Sequence, residues 1–198
     1  MDKSSSTLDF YARNAEEFAA KSYADSFFAH RELFSSKLAA GSRVLELGSG
    51  SGEDALALLA QGFDVTAVDG SAELAAIAAR RIKREVLVIK FEDLAFVEEF
   101  DGVWAAASLL HVPFDQLGSV VQRVAQSLRP GGVLVASFKE SEVDWTDCFG
   151  RYFCAMTKAS LADLIKTNGF ELETIDAVPG KGSDGKPTTW LWVTAFKI

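Results

Sequence analysis

Three glycines at alternate positions, Gly48, Gly50 and Gly52, lie between an apolar run and a segment rich in alanine and leucine. This order predicts a strand, a tight turn and a helix start, because glycine takes positive φ and lets a ligand approach the main chain. A second alternating apolar run ends at Asp69, which such a fold places at the carboxyl end of the next strand. A carboxylate there can accept hydrogen bonds from both ribose hydroxyls of a nucleoside. The sequence therefore predicts a ligand that contains adenosine.

Acidic residues beside this turn indicate which class of adenosine ligand it suits. A dinucleotide fingerprint reads G-x-G-x-x-G, whereas position 53 is Glu53. Glu46 and Glu53 near the turn are expected to repel a pyrophosphate and to suit a cationic ligand. The run 46–52 resembles the acid-x-Gly-x-Gly-x-Gly motif of class I S-adenosylmethionine-dependent methyltransferases, with Ser49 where family members often carry cysteine. The resemblance implies S-adenosylmethionine as the cofactor. It implies these cofactor-binding residues around the first two strands: Glu46, Gly48, Ser49, Gly50, Gly52, Asp69, Gly70 and Ser71.

The order of apolar runs and amphipathic segments predicts one α/β fold. Strands are expected at 44–47, 63–69, 85–90, 100–107, 133–139, 170–178 and 188–196, and helices at 8–20, 25–40, 54–60, 71–79, 114–128 and 158–167. The short connection between the last two strands makes them antiparallel neighbours. We expect a single doubly wound, Rossmann-like, mostly parallel seven-stranded sheet with an antiparallel last strand and N-terminal helices. Residues 1–40 are expected to form a helical lid segment, and residues 41–198 the methyltransferase domain, in one compact unit.

The loops after the third and fourth strands are expected to complete the cofactor site. By resemblance to the family, Asp93 and Leu94 bind the adenine with Glu92 as a neighbour, although a solvated acidic loop is an alternative interpretation. Ala107 and Ser108 end the fourth strand, beside the point where strand order reverses. They are therefore expected to line the methionine end of the cofactor.

Tyr11 and His111 are two further candidate site residues, and His111 is the titratable residue expected near the transferred methyl group. Tyr11 lies in the tract 10–18, which resembles the segment that begins many small-molecule methyltransferases, and so is expected to contact the cofactor from a lid. Its alternative role is packing on the sheet. His111 follows the fourth strand and is the candidate general base for an alcohol or phenol acceptor. The alternative for His111 is a satisfied core or helix-capping side chain.

The segment 140–157 has no clear periodicity and carries several aromatic residues and an arginine. Loops after the fifth strand commonly build the acceptor pocket, so Lys139, Arg151 and Tyr152 are predicted to bind an anionic or planar acceptor. Lys139 and Arg151 are equally compatible with surface charges.

Composition excludes several classes of function. The net charge of −8 and the pI near 4.8 do not provide the clustered cations that nucleic acid binding needs. The chain contains no apolar stretch of about 20 residues, so we expect no membrane span. The spacing of Cys148 and Cys154 matches no zinc or redox motif, which predicts no metal and reduced thiols. We expect a cytoplasmic protein that is a monomer or a weak homodimer.

These observations together predict methyl transfer from S-adenosylmethionine to a small acceptor such as a thiol, a metalloid oxyanion or a small metabolite. The stretches 104–113, 137–139 and 150–153 resemble tellurite-resistance-type small methyltransferases in particular. Two alternatives stay open from the sequence. One is a non-catalytic S-adenosylmethionine-binding protein, and the other, less favoured, is an NAD(P)-dependent oxidoreductase.

Overall fold

A seven-stranded sheet forms the centre of the protein in a computed structural model, which describes residues 3–20 and 25–198. The described strands are β1 (Arg43–Leu47), β2 (Asp64–Asp69), β3 (Val86–Val88), β4 (Phe100–Ala105), β5 (Leu128–Lys139), β6 (Trp145–Thr146), β7 (Tyr152–Phe153), β8 (Phe170–Lys181) and β9 (Pro187–Lys197). The sheet has the order β3-β2-β1-β4-β5-β9-β8, with β1 to β5 parallel and β9 antiparallel to both neighbours. The predicted doubly wound sheet with an antiparallel last strand is confirmed.

Helices precede the first strand and connect most of the later strands, and those from residue 53 onward begin and end near the predicted positions. They are α1 (Lys3–Arg13), α2 (Ala15–Ala19), α3 (Asp25–Ser36), α4 (Glu53–Ala60), α5 (Ala72–Ile82), α6 (Phe114–Ser127) and α7 (Lys158–Thr167). Helix α6 buries Leu117, Val120, Val121 and Val124, which recur at the spacing of one helix face. Ser71 is the N-cap of α5, and its hydroxyl accepts a hydrogen bond from the Leu74 N–H. The apolar face and the cap residue thus determine where these helices begin and what they bury.

The structure corrects the prediction at the N-terminal helices and after β5. The single helix expected at 8–20 is divided at Asn14, which leaves the helical conformation at φ −118°. Its backbone N–H and its side-chain amide both donate to the Phe10 carbonyl, at 3.0 and 2.8 Å, and so end the first helix. Helix α3 ends at Ser36 rather than at residue 40, and β3 is shorter than expected. The aperiodic segment after β5 contains the small antiparallel pair β6–β7, which the sequence did not predict.

Part of the predicted lid segment is packed into the core. Phe34 of α3 is fully buried against Trp104, and a Cβ at Gly102 of β4 would lie 2.8 Å from the Phe34 ring. Phe27 contacts the ring of Trp192, whereas its neighbour Phe28 is 57% exposed. Residues 1–2 and 21–24 of that segment lie outside the described residues. The division at residue 40 therefore stays a prediction.

Over residues 3–20 and 25–198, the structure has no helix that is both long and apolar enough to cross a membrane. Cys148 is exposed and Cys154 is buried, and both are free thiols.

Candidate functional site

One cavity of about 690 Å³ lies at the carboxyl ends of the parallel strands. It is bordered by the turn after β1, the end of β2, the loops after β3 and β4, the end of β5, helix α1 and the β8–β9 loop. Ligands of open α/β sheets bind at this edge, beside the point where strand order reverses. In this sheet that point lies between β1 and β4.

The three glycines of the turn all have positive φ, at 72°, 53° and 79° for Gly48, Gly50 and Gly52. A Cβ on Gly48 would lie 2.5 Å from the Ser108 Cβ, which real structures do not tolerate. A Cβ on Gly52 would lie 3.0 Å from the Ala78 Cβ. Gly48 is thus required for the close approach of the turn to the end of β4, and Gly52 for the packing of α4 on α5.

Asp69 connects the glycine turn to the start of α5. Its Oδ2 accepts a hydrogen bond from the Gly50 N–H and its Oδ1 from the Ser71 N–H, both at 2.8 Å. The residue is 7% exposed and lines the cavity. Burial raises the pKa of Asp69 to about 6, against the two hydrogen bonds, which lower it. Each carboxylate oxygen retains acceptor capacity toward a ligand.

Buried polar atoms without a protein partner surround the turn. They are Glu46 Oε2, Ser49 Oγ and Ser108 Oγ. Burial raises the pKa of Glu46 well above its ordinary value, and the charges of Asp54 and Asp69 raise it further. Ser108 lines the cavity, whereas Glu46 and Ser49 line a small separate cavity beside the turn. Buried polar groups are nearly always hydrogen-bonded, so Ser108 Oγ indicates that a polar ligand or water completes the site. The residues present therefore fit a polar adenosine ligand.

Glu53 does not face this cavity. Its carboxylate forms an ion pair of 3.2 Å with Arg81 of α5, and the residue is not part of the cavity lining. The same guanidinium donates to the Ser51 hydroxyl at 2.9 Å. The expected repulsion between Glu53 and a pyrophosphate thus does not arise, because that charge is neutralised on the outer side of the turn.

Ala107 is held in a strained conformation at the end of β4. Its φ is 50°, and its N–H donates to the Ser137 hydroxyl of β5 at 2.8 Å. Ser137 is fully buried. Sequence reasoning did not select Ser137 as a positioning residue, because its role depends on the pairing of β4 with β5. The hydrogen bond keeps Ala107 and Ser108 against the cavity.

His111 has both ring nitrogens engaged. Nδ1 lies 2.6 Å from the Tyr152 carbonyl oxygen, and Nε2 lies 3.0 Å from the Tyr11 hydroxyl. A carbonyl only accepts, so Nδ1 carries the proton and Nε2 accepts from Tyr11. Burial lowers the pKa of His111 to about 4, and the charges of Arg151 and Lys139 contribute in the same direction. The imidazole is therefore neutral at pH 7 and a weak base.

Arg151 is buried beside Asp147. The guanidinium donates from Nε to Asp147 Oδ2 at 2.8 Å and from Nη1 to the Ser183 hydroxyl at 2.7 Å. The two charged side chains are 3% and 1% exposed. Phe10 and Phe149 lie within cation–π distance of the same guanidinium. Arg151 thus joins α1, the β6–β7 segment and the β8–β9 loop. These elements cover the part of the cavity next to Lys139 of β5 and Trp190 of β9, which is called the acceptor side below.

A family comparison identifies what kind of domain carries this cavity. Residues 44–132, which span the glycine turn, Asp69 and the end of β4, match the family model described as a methyltransferase domain. This match indicates a class I S-adenosylmethionine-dependent methyltransferase domain at residues 44–132, with S-adenosylmethionine as its cofactor.

Individual relatives of this chain are distant. An uncharacterized methyltransferase of Staphylococcus carnosus is 29% identical over 135 residues, 65% of each chain. The ubiquinone biosynthesis O-methyltransferase of Xanthomonas campestris pv. campestris is 36% identical over 104 residues, 49% of this chain and 43% of the relative. The chain thus spans less than two thirds of the length of either relative.

Among solved structures, the 1,6-didemethyltoxoflavin-N1-methyltransferase of Burkholderia thailandensis has a similar fold. The TM-score is 0.79 at 23% identity, over 98% of this chain and 88% of that one. That protein was crystallised with 1,6-didemethyltoxoflavin and S-adenosylhomocysteine bound. The similarity to tellurite-resistance-type enzymes, the cytoplasmic location and the oligomeric state of this chain stay predictions.

Most of the predicted site residues converge on the one cavity. Those that line it are Tyr11, Gly48, Gly50, Asp69, Gly70, Glu92, Ala107, Ser108, His111, Lys139 and Arg151. Those outside the described lining are Glu46, Ser49, Gly52, Ser71, Asp93, Leu94 and Tyr152. Glu46 and Ser49 line a small separate cavity with Gly48 and Asp54, and Ser71 caps α5. Tyr152 contributes its backbone carbonyl to His111.

The structure changes the expected arrangement in the loop after β3. Leu94 is buried at 1% exposure, and its N–H points to the Phe91 carbonyl at 3.4 Å. Asp93 is exposed outside the cavity, whereas Glu92 lines it together with Lys90 and Phe91. The 3-10 turn Phe91–Asp93 causes this difference, because it directs consecutive side chains away from one another.

Sequence reasoning missed the contribution of the β8–β9 loop. Lys181, Gly182, Ser183 and Gly185 line the cavity, as does Trp190 of β9. Strand β8 runs parallel to β5, so its carboxyl end lies at the same edge as the ends of β1 to β5. The glycine-rich composition of this loop is a weak signal that only the strand order makes interpretable.

The His111 ring is expected to remain neutral down to about pH 5. Its folded-state pKa of about 4 lies below the ordinary 6.5, so the contribution of neutral His111 to stability is complete above pH 6.5 and is lost as pH falls toward 4. Long-range ¹H–¹⁵N spectra recorded between pH 3.5 and 8 measure both the titration and the tautomer. His30→Gln assigns the signals. Tyr11→Phe removes the donor to Nε2 and should raise the His111 pKa; a titration midpoint near 6.5 in the wild type would contradict this network.

Proposed function

We propose that this chain transfers a methyl group from S-adenosylmethionine to a small-molecule acceptor. The observation that carries the proposal is that one cavity joins the glycine turn and Asp69 to Lys139 and Trp190. Strands β1 and β4 lie between β2 and β5 in the sheet, so the cavity spans three interstrand spacings, or about 14 Å. Such a span has room for a cofactor and an acceptor side by side.

The residues at the β2–β1–β4 side are suited to hold the cofactor. In this proposal Asp69 accepts hydrogen bonds from the ribose hydroxyls, and Phe91 and Glu92 of the loop after β3 line the cavity beside it. Gly48 and Ser108 form the close contact at the strand ends, where Ser108 Oγ has an unused hydrogen-bonding capacity. When bound, S-adenosylmethionine supplies an electrophilic methyl carbon on its sulfonium.

The rest of the chain supplies orientation rather than strong base catalysis. The Tyr11 hydroxyl is hydrogen-bonded to His111 Nε2. Because the pKa of His111 is lowered, its imidazole is a poor general base for the proton of an alcohol. Holding an acceptor in line with the reactive methyl group can by itself lower the activation free energy by several kcal/mol. We therefore favour an acceptor that attacks without prior deprotonation by the protein, such as a thiolate, an oxyanion or a neutral amine.

A non-catalytic S-adenosylmethionine-binding protein shares the cofactor side of this cavity. The buried polar and aromatic residues on the β5–β9 side favour an acceptor site over that alternative. An NAD(P)-dependent oxidoreductase is disfavoured by the antiparallel β9 and by the family match, and no longer by the charge of Glu53.

Calorimetric titration tests the cofactor assignment. We expect S-adenosylmethionine and S-adenosylhomocysteine each to bind with one site per chain, and NADH to give no heat of binding. Release of S-adenosylhomocysteine with thiols and then metalloid oxyanions tests transfer. Binding of NADH without S-adenosylmethionine would overturn the proposal.

A further inference from the structure

Lys139 ends β5 at the cavity and is only 5% exposed. It pairs with Trp190 across the β5–β9 ladder. Its ammonium nitrogen lies 4.1 Å from the ring centroid of Phe153, 5.1 Å from that of Trp145 and 5.7 Å from that of Trp190. The cation thus sits in an aromatic enclosure at the acceptor side.

This ammonium has no hydrogen-bond acceptor or ion-pair partner within residues 3–20 and 25–198. Burial lowers the pKa of Lys139, while the charge of Asp184 on the β8–β9 loop raises it without forming an ion pair. Cation–π contacts offset part of the desolvation of a charge, yet they leave its N–H donors unused. A buried charge in a protein is normally paired, so the unused donors indicate an anion supplied by a ligand.

Arg151 is not available for that role. Its guanidinium is neutralised by Asp147 at 2.6 Å and held by Ser183. The other lysines that border the cavity, Lys90 and Lys181, are exposed to solvent. Among the described lining residues, the buried cation without a partner is therefore Lys139.

We propose that Lys139 binds an anionic oxygen group, a carboxylate or a comparable oxyanion, on the methyl acceptor. The inference rests on the proposed function, because it places the anion on β5, one strand from the Ala107–Ser108 end of the cofactor side. Phe153 and Trp190 line the cavity beside the ammonium, so the body that carries the anion is apolar or aromatic. The acceptor class is thus an apolar or aromatic acid.

Benzoate and benzamide are matched probes for this assignment, since they differ in charge and hardly in shape. Each is titrated into the full chain saturated with S-adenosylhomocysteine, with calorimetry and tryptophan fluorescence as readouts. We expect wild-type protein to bind benzoate at least about tenfold more tightly than benzamide, as charge-assisted hydrogen bonds imply. Lys139→Met is expected to abolish the preference and Lys139→Arg to retain most of it. Lys166→Met, an exposed lysine of α7 that does not line the cavity, should leave it unchanged.

Folding and cofactor binding are measured in parallel. Replacing an unpaired buried ammonium by an apolar side chain of similar length should leave the melting temperature equal or higher. Equal affinity for the two probes in the wild type, including binding of neither, would overturn the role of Lys139 while S-adenosylhomocysteine binding still supported the proposed function. Equal losses in Lys139→Met and Lys166→Met would also overturn it. Failure of the wild type to bind S-adenosylhomocysteine would instead overturn the proposed function.

Discussion

Asp69→Asn is expected to weaken binding of S-adenosylmethionine by about 2–4 kcal/mol, the value of two charge-assisted hydrogen bonds to the ribose. The amide retains one acceptor oxygen and replaces the other with a donor. The carboxylate accepts hydrogen bonds from the Gly50 and Ser71 N–H groups, so the new amide NH₂ would face one of these two donors. The fold should survive, because burial already disfavours the charged form of Asp69 and raises its pKa to about 6, and asparagine removes that charge.

The same residue gives cofactor binding a pH dependence. The folded-state pKa of Asp69 is about 6, and only the charged form offers acceptors to both hydroxyls. Affinity should therefore be complete well above pH 6 and fall as pH decreases through 6. Calorimetry between pH 5 and 8 measures this slope, which Asp69→Asn should remove.

Asp64→Asn is the matched control for this experiment. Asp64 begins the same strand, at the opposite end, and is exposed in a pair with Arg84. We expect no change in affinity there. Affinity that stays at the wild-type value in Asp69→Asn would exclude the ribose assignment.

Arg151→Met is expected to lower the free energy that holds the acceptor side folded by about 3–5 kcal/mol, since it leaves the Asp147 carboxylate buried and unpaired. That carboxylate is 1% exposed and also accepts from the Phe149 and Arg151 N–H groups. Native-state hydrogen exchange measures the opening of this region through the Cys154 N–H, which is bonded to the Leu110 carbonyl. Urea denaturation measures the global free energy of unfolding in parallel.

Two further variants separate lost charge pairing from lost packing. The double variant Arg151→Met with Asp147→Asn removes both charges and should recover part of the loss. Arg80→Met breaks the exposed pair with Glu16, whose side chains are 65% and 84% exposed, and should cost less than about 1 kcal/mol. Equal effects of Arg151→Met and Arg80→Met would show that burial of the Arg151 pair has no energetic consequence.

The candidate acceptor side shows where a sequence pattern stops being informative. Lys139 and Arg151 were predicted together as anion-binding residues or surface charges, yet both are buried and only Arg151 is paired. The carboxylate that neutralises Arg151 is four residues away, but the serine that holds it lies across the fold in the β8–β9 loop. Composition alone could not distinguish the two cations.

The sequence by itself determined the sheet, the glycine turn and the position of Asp69 at a strand end. These depend on local constraints: positive φ requires glycine, alternation specifies strands, and a short connection makes its strands antiparallel. Only the tertiary structure decided the tautomer of His111, the partner of Glu53, and the burial of the Lys139 ammonium among aromatic rings without an ion pair to any described residue. The hydrogen bond between Tyr11 and His111 joins residues 100 positions apart. Such contacts depend on which distant side chains the packed elements bring together, and that information is not contained in any local pattern.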